Sequence, residues 1–384
     1  MILYGGVDVR VLMTGGGTGG HVNPAIAIAE IIKEKHPDAE IAFVGTKNGI
    51  ENKLVTKAGY KLYHIEIQGI RRSLSLSNIK TAYLVMVSPK RARKIIEEFK
   101  PDVVIGTGGY VCWPTVKAAA AMNIPTLLHE SNALAGIAVK QLKNDVDTIM
   151  TNFDFPQSAL RTKKRVVRVG NPISASFGKY NKNDARKQLG IDPSKTLILS
   201  FGGSVGSSSV NKAVFELMKN FSASRDDIVH FHSVGRAGAE SMEEKMREYG
   251  LSDKKNIFVS EYIYNMPVLM AAADIVICRA GAMTLSEIAV MKKASVIIPS
   301  PYVADDHQYK NAKVLADADA ALLVQEFKNK DIDSDKLIRE VKLLADNRSL
   351  RLSIENKIAE FASDQVNEKI YAEIDQALKN KKFK

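Results

Sequence analysis

Apolar residues in this chain fall into short Val/Ile/Leu-rich runs, separated by longer stretches in which they recur every three or four positions. The short runs read as strands. In the first half they are Val9–Met13, Glu40–Val44, Lys61–Ile65, Asp102–Ile105, Thr126–His129, Asp147–Thr151 and Val166–Val169. Helical spacing appears at Pro24–Lys35, Ile50–Ala58, Pro89–Phe99, Thr115–Met122 and Leu134–Leu142. Gly170-Asn171-Pro172 and the polar segment Lys179 to Lys187 interrupt this rhythm, which then restarts. The second set of strands is Thr196–Phe201, Ile228–His232, Asn256–Val259, Ile275–Cys278, Ser295–Ile298 and Ala321–Val324. Its helices are Ser208–Lys219, Ala239–Tyr249, Met266–Ala273, Thr284–Met291 and Gln308–Ala316, and Asp331 to Leu378 reads as helical and polar. Strands alternating with helices predict an α/β protein of two doubly wound parallel sheets. The expected divisions are 1–173, 174–362 and a final helix, 363–384, returning to the first domain.

Both halves open alike, with a strand running into a glycine loop and then a helix. The first loop is Thr14-Gly15-Gly16-Gly17-Thr18-Gly19-Gly20-His21-Val22-Asn23-Pro24, and the second is Gly202-Gly203-Ser204-Val205-Gly206. Residues without a β-carbon let backbone N–H groups approach a ligand, and a helix start favours an anion. Pro24 is expected at the first helical position. Gly15, Gly17 and Gly20 also match the dinucleotide fingerprint. However, the second strand ends in Gly45-Thr46-Lys47, with no carboxylate to hold a ribose, which disfavours a nicotinamide or flavin dinucleotide. In open α/β sheets ligands gather at the carboxyl edge of the strands. Two such edges facing each other would enclose a ligand in a cleft.

The chain has 384 residues, 45% hydrophobic and 25% charged, as expected of two globular domains. Its start lacks a secretory pattern, and its apolar runs are too short to span a bilayer. Cys112 and Cys278 read as buried small residues of a reduced chain. The net charge of +11 implies an anionic partner. Aromatics are not interleaved with basic residues, so phosphate and membrane rank above nucleic acid. There is no phosphate-binding G-x-x-x-x-G-K-[ST] loop and no G-x-S-x-G elbow.

The densest polar cluster follows strand Ile275–Cys278: Arg279-Ala280-Gly281-Ala282-Met283-Thr284-Leu285-Ser286-Glu287. Thr284 and Glu287 have capping-box spacing, and a first-turn carboxylate also suits ribose hydroxyls. After the next strand, Gln308 and Asn311 share a helical face, and amides suit neutral hydroxyls. In the first half Gly106-Thr107-Gly108-Gly109-Tyr110 and His129-Glu130-Ser131-Asn132 each end a strand. His21, His129 and Glu130 are the acid/base candidates, with His21 favoured by its place on the rim of the glycine loop.

These motifs, with Gly170-Asn171-Pro172 and His307-Gln308, stand in register from Val9 to Ala312 and resemble the MurG family of GT-B glycosyltransferases. That family moves N-acetylglucosamine from its UDP-sugar to undecaprenyl-diphosphate-N-acetylmuramyl-pentapeptide. The resemblance implies two Rossmann-like domains facing across a cleft, with UDP on the second. Ile263 would lie along uracil and Glu287 would take the ribose hydroxyls. Ser204 with the turn Ala282-Met283-Thr284 would take the diphosphate and Gln308 the sugar hydroxyls, with Leu285, Ser286 and Asn311 as further substrate-binding residues. Thr18, Gly19 and Asn132 would reach the donor sugar from the first domain, with Gly20 a further substrate-binding residue. Gly17, Gly108, Gly109 and Tyr110 would face the acceptor diphosphate. His21 would be the general base of a single inverting displacement, with Glu130 second. Two departures stand out. Val205 and Ser207 replace a usual Gln and Ala, and Ser174 replaces an arginine thought to contact the nucleotide phosphate, a role then expected of Arg279 or a helix dipole. No Asp-x-Asp motif follows a strand, so no required metal is expected, with Mg²⁺ at most a stimulant of turnover. Leu74, Leu76, Ile79, Tyr83, Leu84, Met86 and Val87 lie among Arg71, Arg72, Lys80, Lys90, Arg91, Arg93 and Lys94, and predict a patch resting on anionic lipid at the cytoplasmic face. The alternatives are a diacylglycerol glycosyltransferase of the same fold, an epimerase of UDP-N-acetylglucosamine, and a non-catalytic nucleotide-sugar-binding protein.

Overall fold

The computed structural model describes residues 9–68, 77–132, 134–153, 160–203, 205–235, 238–303, 306–362 and 365–381. The chain forms two compact units, Met1–Pro172 with Asp364–Lys384, and Ile173–Ser363.

In the first unit the strands are β1 (Arg10–Gly15), β2 (Glu40–Gly45), β3 (Lys61–His64), β4 (Val103–Gly108), β5 (Thr126–Glu130), β6 (Thr148–Thr151) and β7 (Arg165–Arg168). They form one sheet, ordered β3-β2-β1-β4-β5-β6-β7, in which every pairing is parallel. Its helices are α1 (Gly19–Lys35), α2 (Glu51–Lys57), α3 (Ser77–Phe99), α4 (Cys112–Ala121) and α5 (Ile137–Leu142). Strands such as β1, with Val11, Leu12 and Met13 fully buried, are apolar on both faces because helices cover both.

The second unit contains α6 (Lys182–Leu189), β8 (Thr196–Phe201), α7 (Ser208–Asn220), β9 (Ile228–Ser233), α8 (Ala239–Glu248), β10 (Ile257–Ser260), α9 (Met266–Ala272), β11 (Ile275–Cys278), α10 (Ala282–Val290), β12 (Ala294–Ile297), α11 (His307–Asp317), β13 (Leu322–Leu323), α12 (Ser334–Asp346) and α13 (Arg348–Ala359). Its sheet runs β10-β9-β8-β11-β12-β13, again all parallel. The last helix, α14 (Val366–Lys381), packs on the first unit. There the Glu373 carboxylate accepts two bonds from Arg165, at 2.7 and 2.8 Å, and His36 meets the Tyr371 hydroxyl at 2.8 Å.

Every predicted strand is present, shifted by at most a few residues at its ends. Three helical expectations change. First, α1 begins at Gly19, so Pro24 lies inside the helix and not at its first position. The final glycines of the loop therefore form the first helical turn. Second, α3 begins at Ser77 and runs through Pro89. A proline removes the bond to the carbonyl four residues back, here that of Val85, and the Ser88 hydroxyl donates to this carbonyl instead (3.2 Å). Third, the polar segment at the start of the second unit contains α6. Its amphipathic face buries Arg186, which pairs with Asp274, while Asn181 and Gly190 cap its ends.

The membrane expectation falls partly on 71–76, outside the described residues. On α3, Leu84 is buried in the unit and does not belong to a surface patch. Tyr83 and Met86 are exposed (60% and 78%), as are Lys90, Arg93 and Lys94.

Candidate active site

In both sheets the strand order reverses beside the first strand, at β1/β4 and at β8/β11. Connections leave such a switch point in opposite directions, which opens a crevice at the carboxyl edge. Four of the motifs singled out in the sequence follow these four strands, while His129–Asn132 follows β5 and Gln308 with Asn311 comes after β12.

In the first unit the loops after β1 and β4 interlock. The β1–β4 register slips between Thr14 and Gly15, which bulges Thr107. The Thr107 hydroxyl donates to the His21 carbonyl at 2.7 Å, fixing the first turn of α1. Gly108 and Gly109 have φ of +108° and +81°. A β-carbon on Gly109 would sit 2.1 Å from the Gly16 carbonyl oxygen, and one on Gly108 would sit 2.6 Å from the His21 ring. The imidazole thus lies over a glycine backbone, with Nδ1 3.3 Å from the Gly16 carbonyl and 3.2 Å from the Thr18 hydroxyl. A carbonyl only accepts, so Nδ1 carries the hydrogen and the neutral ring keeps its lone pair on Nε2. Gly19 and Gly20 place their N–H groups ahead of the first α-helical bond, from Val22 to Thr18 (3.2 Å), where an anion is favoured. Gly17, expected to face the acceptor diphosphate through its backbone, instead donates its N–H inward to Glu51 (3.2 Å). Tyr110 lies beside Gly17, its ring 2.9 Å from where a β-carbon would project.

Two acid/base candidates are engaged by the protein's own backbone and loop. Glu130 is 5% exposed, and its oxygens accept bonds from the Asn132 N–H and amide (2.9 and 3.0 Å) and from the Gly136 N–H (2.6 Å). It holds its own loop, and Asn132 with it, which leaves it poorly placed to take a substrate proton. His129 is buried and bonded to the Gly170 carbonyl (2.8 Å); burial lowers its pKa to about 4, so it is neutral.

In the second unit Ser204 lies outside the described residues, and Val205 is exposed (66%). Arg279 was expected to meet a phosphate. Its guanidinium is instead buried, paired with Glu326, and donates to the Ile298 carbonyl (3.1 Å) and the Ser207 and Ser209 hydroxyls (2.7 and 3.0 Å). It ties the start of α7 to the sheet, and Glu326 neutralises its charge. Ser174 caps a short 3₁₀ turn and bonds Ser176. A source of positive potential at this edge, among the described residues, is the start of α10. Ala282, Met283 and Thr284 form its first turn, ahead of the first α-helical bond, from Leu285 to Gly281 (3.0 Å).

Gly281, not Thr284, is the N-cap of α10, so the capping-box reading fails and Glu287 lies in the second turn. Glu287 is half-buried, and its carboxyl group makes no hydrogen bond or ion pair with another described residue. Burial pushes its pKa up to about 8. Charge on Glu287 in turn raises that of the neighbouring Tyr262 hydroxyl, although burial raises it more. A carboxyl group left without protein donors at a switch point is suited to ligand hydroxyls. Ile263 and Leu285 are buried in one core cluster beneath it. Gln308 accepts the Ser300 N–H (2.9 Å), whereas Asn311 is 1% exposed and donates to the Ala280 carbonyl (3.2 Å). Asn311 therefore holds the Arg279–Gly281 turn and does not line a surface.

Sequence reasoning missed Glu51 and Glu326. Each is a buried carboxylate holding a glycine loop from a distant part of the chain, and no local pattern marks either.

Residues 11–151 match the glycosyltransferase family 28 N-terminal domain, and 197–369 match the family's C-terminal domain. A relative from Thermoanaerobacter sp. (strain X514) is 41% identical over 94% of this chain and 98% of its own length. The chain belongs to glycosyltransferase family 28. That relative is named UDP-N-acetylglucosamine–N-acetylmuramyl-(pentapeptide) pyrophosphoryl-undecaprenol N-acetylglucosamine transferase, as is one from Acetivibrio thermocellus that is 37% identical over 97% of this chain and 99% of its own. The crystal structure of Acinetobacter baumannii MurG has a TM-score of 0.71 at 28% identity, covering 96% of this chain and 99% of that one. With two parallel α/β units, this family 28 chain has the GT-B fold.

Proposed function

We infer that this chain transfers N-acetylglucosamine from UDP-N-acetylglucosamine to the 4-hydroxyl of undecaprenyl-diphosphate-N-acetylmuramyl-pentapeptide, forming the lipid-linked disaccharide of peptidoglycan synthesis. The observation that carries the donor half is Glu287, a half-buried carboxyl group beside the start of α10 with no donor among the described residues. The acceptor half rests on relatives of that name matching nearly the whole chain.

The acceptor oxygen attacks the anomeric carbon. The bond from that carbon to the diphosphate breaks, and its electron pair leaves on UDP. The hydroxyl proton passes to Nε2 of His21, giving an imidazolium. N–H groups at the start of α10 stabilise the charge gained by the leaving diphosphate, each worth about 3 kcal/mol. On this reading turnover needs no resident metal, and activity persisting in a chelator is the check. The enzyme works as a peripheral protein at the cytoplasmic face of the membrane. Supporting this are the +11 charge and the exposed Tyr83 and Met86 beside basic residues of α3. Among the described residues, no helix is long and apolar enough to cross a membrane. Binding to anionic vesicles that ignores both salt and charge reversal on α3 would refute the lipid contact.

The deciding experiment is radiolabelled transfer from UDP-N-acetylglucosamine to a short-chain lipid-linked acceptor. Labelled disaccharide lipid is expected. Free sugar released without acceptor, or transfer only to diacylglycerol, would overturn the assignment.

A further inference from the structure

Glu51 is fully buried at the first position of α2. All the hydrogen bonds it accepts come from donors: the Thr46 N–H (2.9 Å) and hydroxyl (2.8 Å) on one oxygen, and the Gly17 N–H (3.2 Å) on the other. Three glycines make room for it. A β-carbon at Gly16, Gly45 or Gly49 would approach a Glu51 side-chain atom to 2.9, 2.6 or 2.1 Å.

The Gly17 N–H and the Gly16 carbonyl are opposite ends of one planar peptide group. The carboxylate accepts at one end, and at the other the carbonyl accepts from Nδ1–H of His21 (3.3 Å). The result is an aligned chain: carboxylate, peptide, imidazole, with Nε2 at its end. Bonds in such a chain polarise one another, and a nearby negative charge favours an imidazolium. In serine hydrolases a buried aspartate does this directly, holding the tautomer and stabilising the charged ring. Here a single peptide group is interposed.

We propose that Glu51 is the positioning residue of the general base, fixing the His21 tautomer and raising its proton affinity through the Gly16–Gly17 peptide. The proposal rests on the reading of His21 as the base. Glu51 touches no substrate and acts only through the ring. Among the described residues, the other titratable groups that the packed loops bring toward Gly16–His21 are Tyr110, beside Gly17, and Cys112, whose thiol bonds to the Gly108 backbone and is pushed by burial up to about 12. Glu130, one strand further on, is held by its own loop, and Glu373 of α14, which packs on α1, is paired with Arg165.

The test is the pH profile of kcat at saturating donor and acceptor for the full-length wild type, Glu51→Gln, His21→Gln and Thr46→Val. Glu51→Gln keeps the shape and loses the charge. It is expected to lower plateau kcat about tenfold and to move the acid limb down by about one pH unit, with donor KM unchanged. Thr46→Val keeps the charge and leaves the limb in place. An acid limb unmoved in Glu51→Gln, whatever happens to kcat, overturns the proposal and leaves a merely structural glutamate. An acid limb surviving in His21→Gln overturns the base assignment itself and the proposal with it. In the wild type, ¹⁵N spectra of labelled histidine should show His21 with its proton on Nδ1. The opposite tautomer refutes the relay even if Glu51→Gln fails to fold.

Discussion

Glu287 makes donor binding pH-dependent in a direction the structure fixes. Ribose hydroxyls donate to the carboxylate, so binding favours the ionised form, whereas burial in the free protein holds the pKa near 8. If only the carboxylate binds, the apparent dissociation constant is the intrinsic one divided by the ionised fraction. That fraction is about 3% at pH 6.5 and about 75% at pH 8.5, so affinity should tighten about 25-fold across the interval. Calorimetry with UDP-N-acetylglucosamine in buffers of different ionisation enthalpy checks this, and near pH 7 binding should release close to one proton. The sign of the stability effect follows. Ionising a carboxyl whose folded pKa is raised costs the ligand-free protein stability as pH climbs from the unfolded value toward 8, and bound donor removes that cost. The donor should therefore raise the melting temperature more at pH 8.5 than at 6.5. Glu287→Gln should bind weakly at both pH values, with its deficit largest at high pH. A flat wild-type profile, or the same slope in Glu287→Gln, refutes the reasoning.

Three further outcomes are expected. His21→Gln should lower kcat by ~10²–10⁴ while leaving donor affinity intact; a loss under tenfold would remove it from the role of base. Arg279→Ala leaves Glu326 buried and unpaired, which should cost about 3 kcal/mol in urea unfolding; adding Glu326→Gln should recover part of that, and purely additive losses would refute the pair. His230 and His232, linked through the Ser200 hydroxyl (2.8 Å to each), are held neutral by burial, with pKa values of about 3 and 4. Their contribution is complete above the ordinary histidine value and is lost as pH falls from about 6.5 toward 4. Acid unfolding of His232→Gln should take up fewer protons than the wild type, and equal uptake would count against a neutral buried ring.

Much of the fold was legible because its determinants are local. Strands such as Ile275–Cys278 are continuous apolar runs, and the glycines that end them mark the edge where ligands gather. Errors arose where a distant group satisfied the backbone. Pro89 reads as a helix start, yet α3 continues through it, with the Ser88 hydroxyl on the Val85 carbonyl that the proline leaves without an N–H. The polar composition around Lys182 suggested a boundary. Its helix forms because Asp274, 88 residues from Arg186, accepts the buried guanidinium.

The candidate site divides along the same line. His21 and Glu287 were picked out because they follow the glycine loops at the ends of β1 and β11, and both remain candidates in the folded chain. Glu130, Asn311 and Arg279 looked equivalent in sequence, yet each is consumed by holding a loop: Glu130 its own, Asn311 the turn at Ala280, and Arg279 the start of α7. Spacing cannot separate a polar residue that serves a ligand from one that serves the backbone beneath it, because both stand at strand ends. Partner counts in the folded chain separate them. Glu130 accepts three hydrogen bonds from its loop, whereas the Glu287 carboxyl has no donor among the described residues and a raised pKa. Removing the first should therefore cost stability, and removing the second should cost donor affinity. Glu130→Gln losing melting temperature while Glu287→Gln keeps it is the expected contrast, and equal losses in both would show that partner counts do not sort these carboxylates.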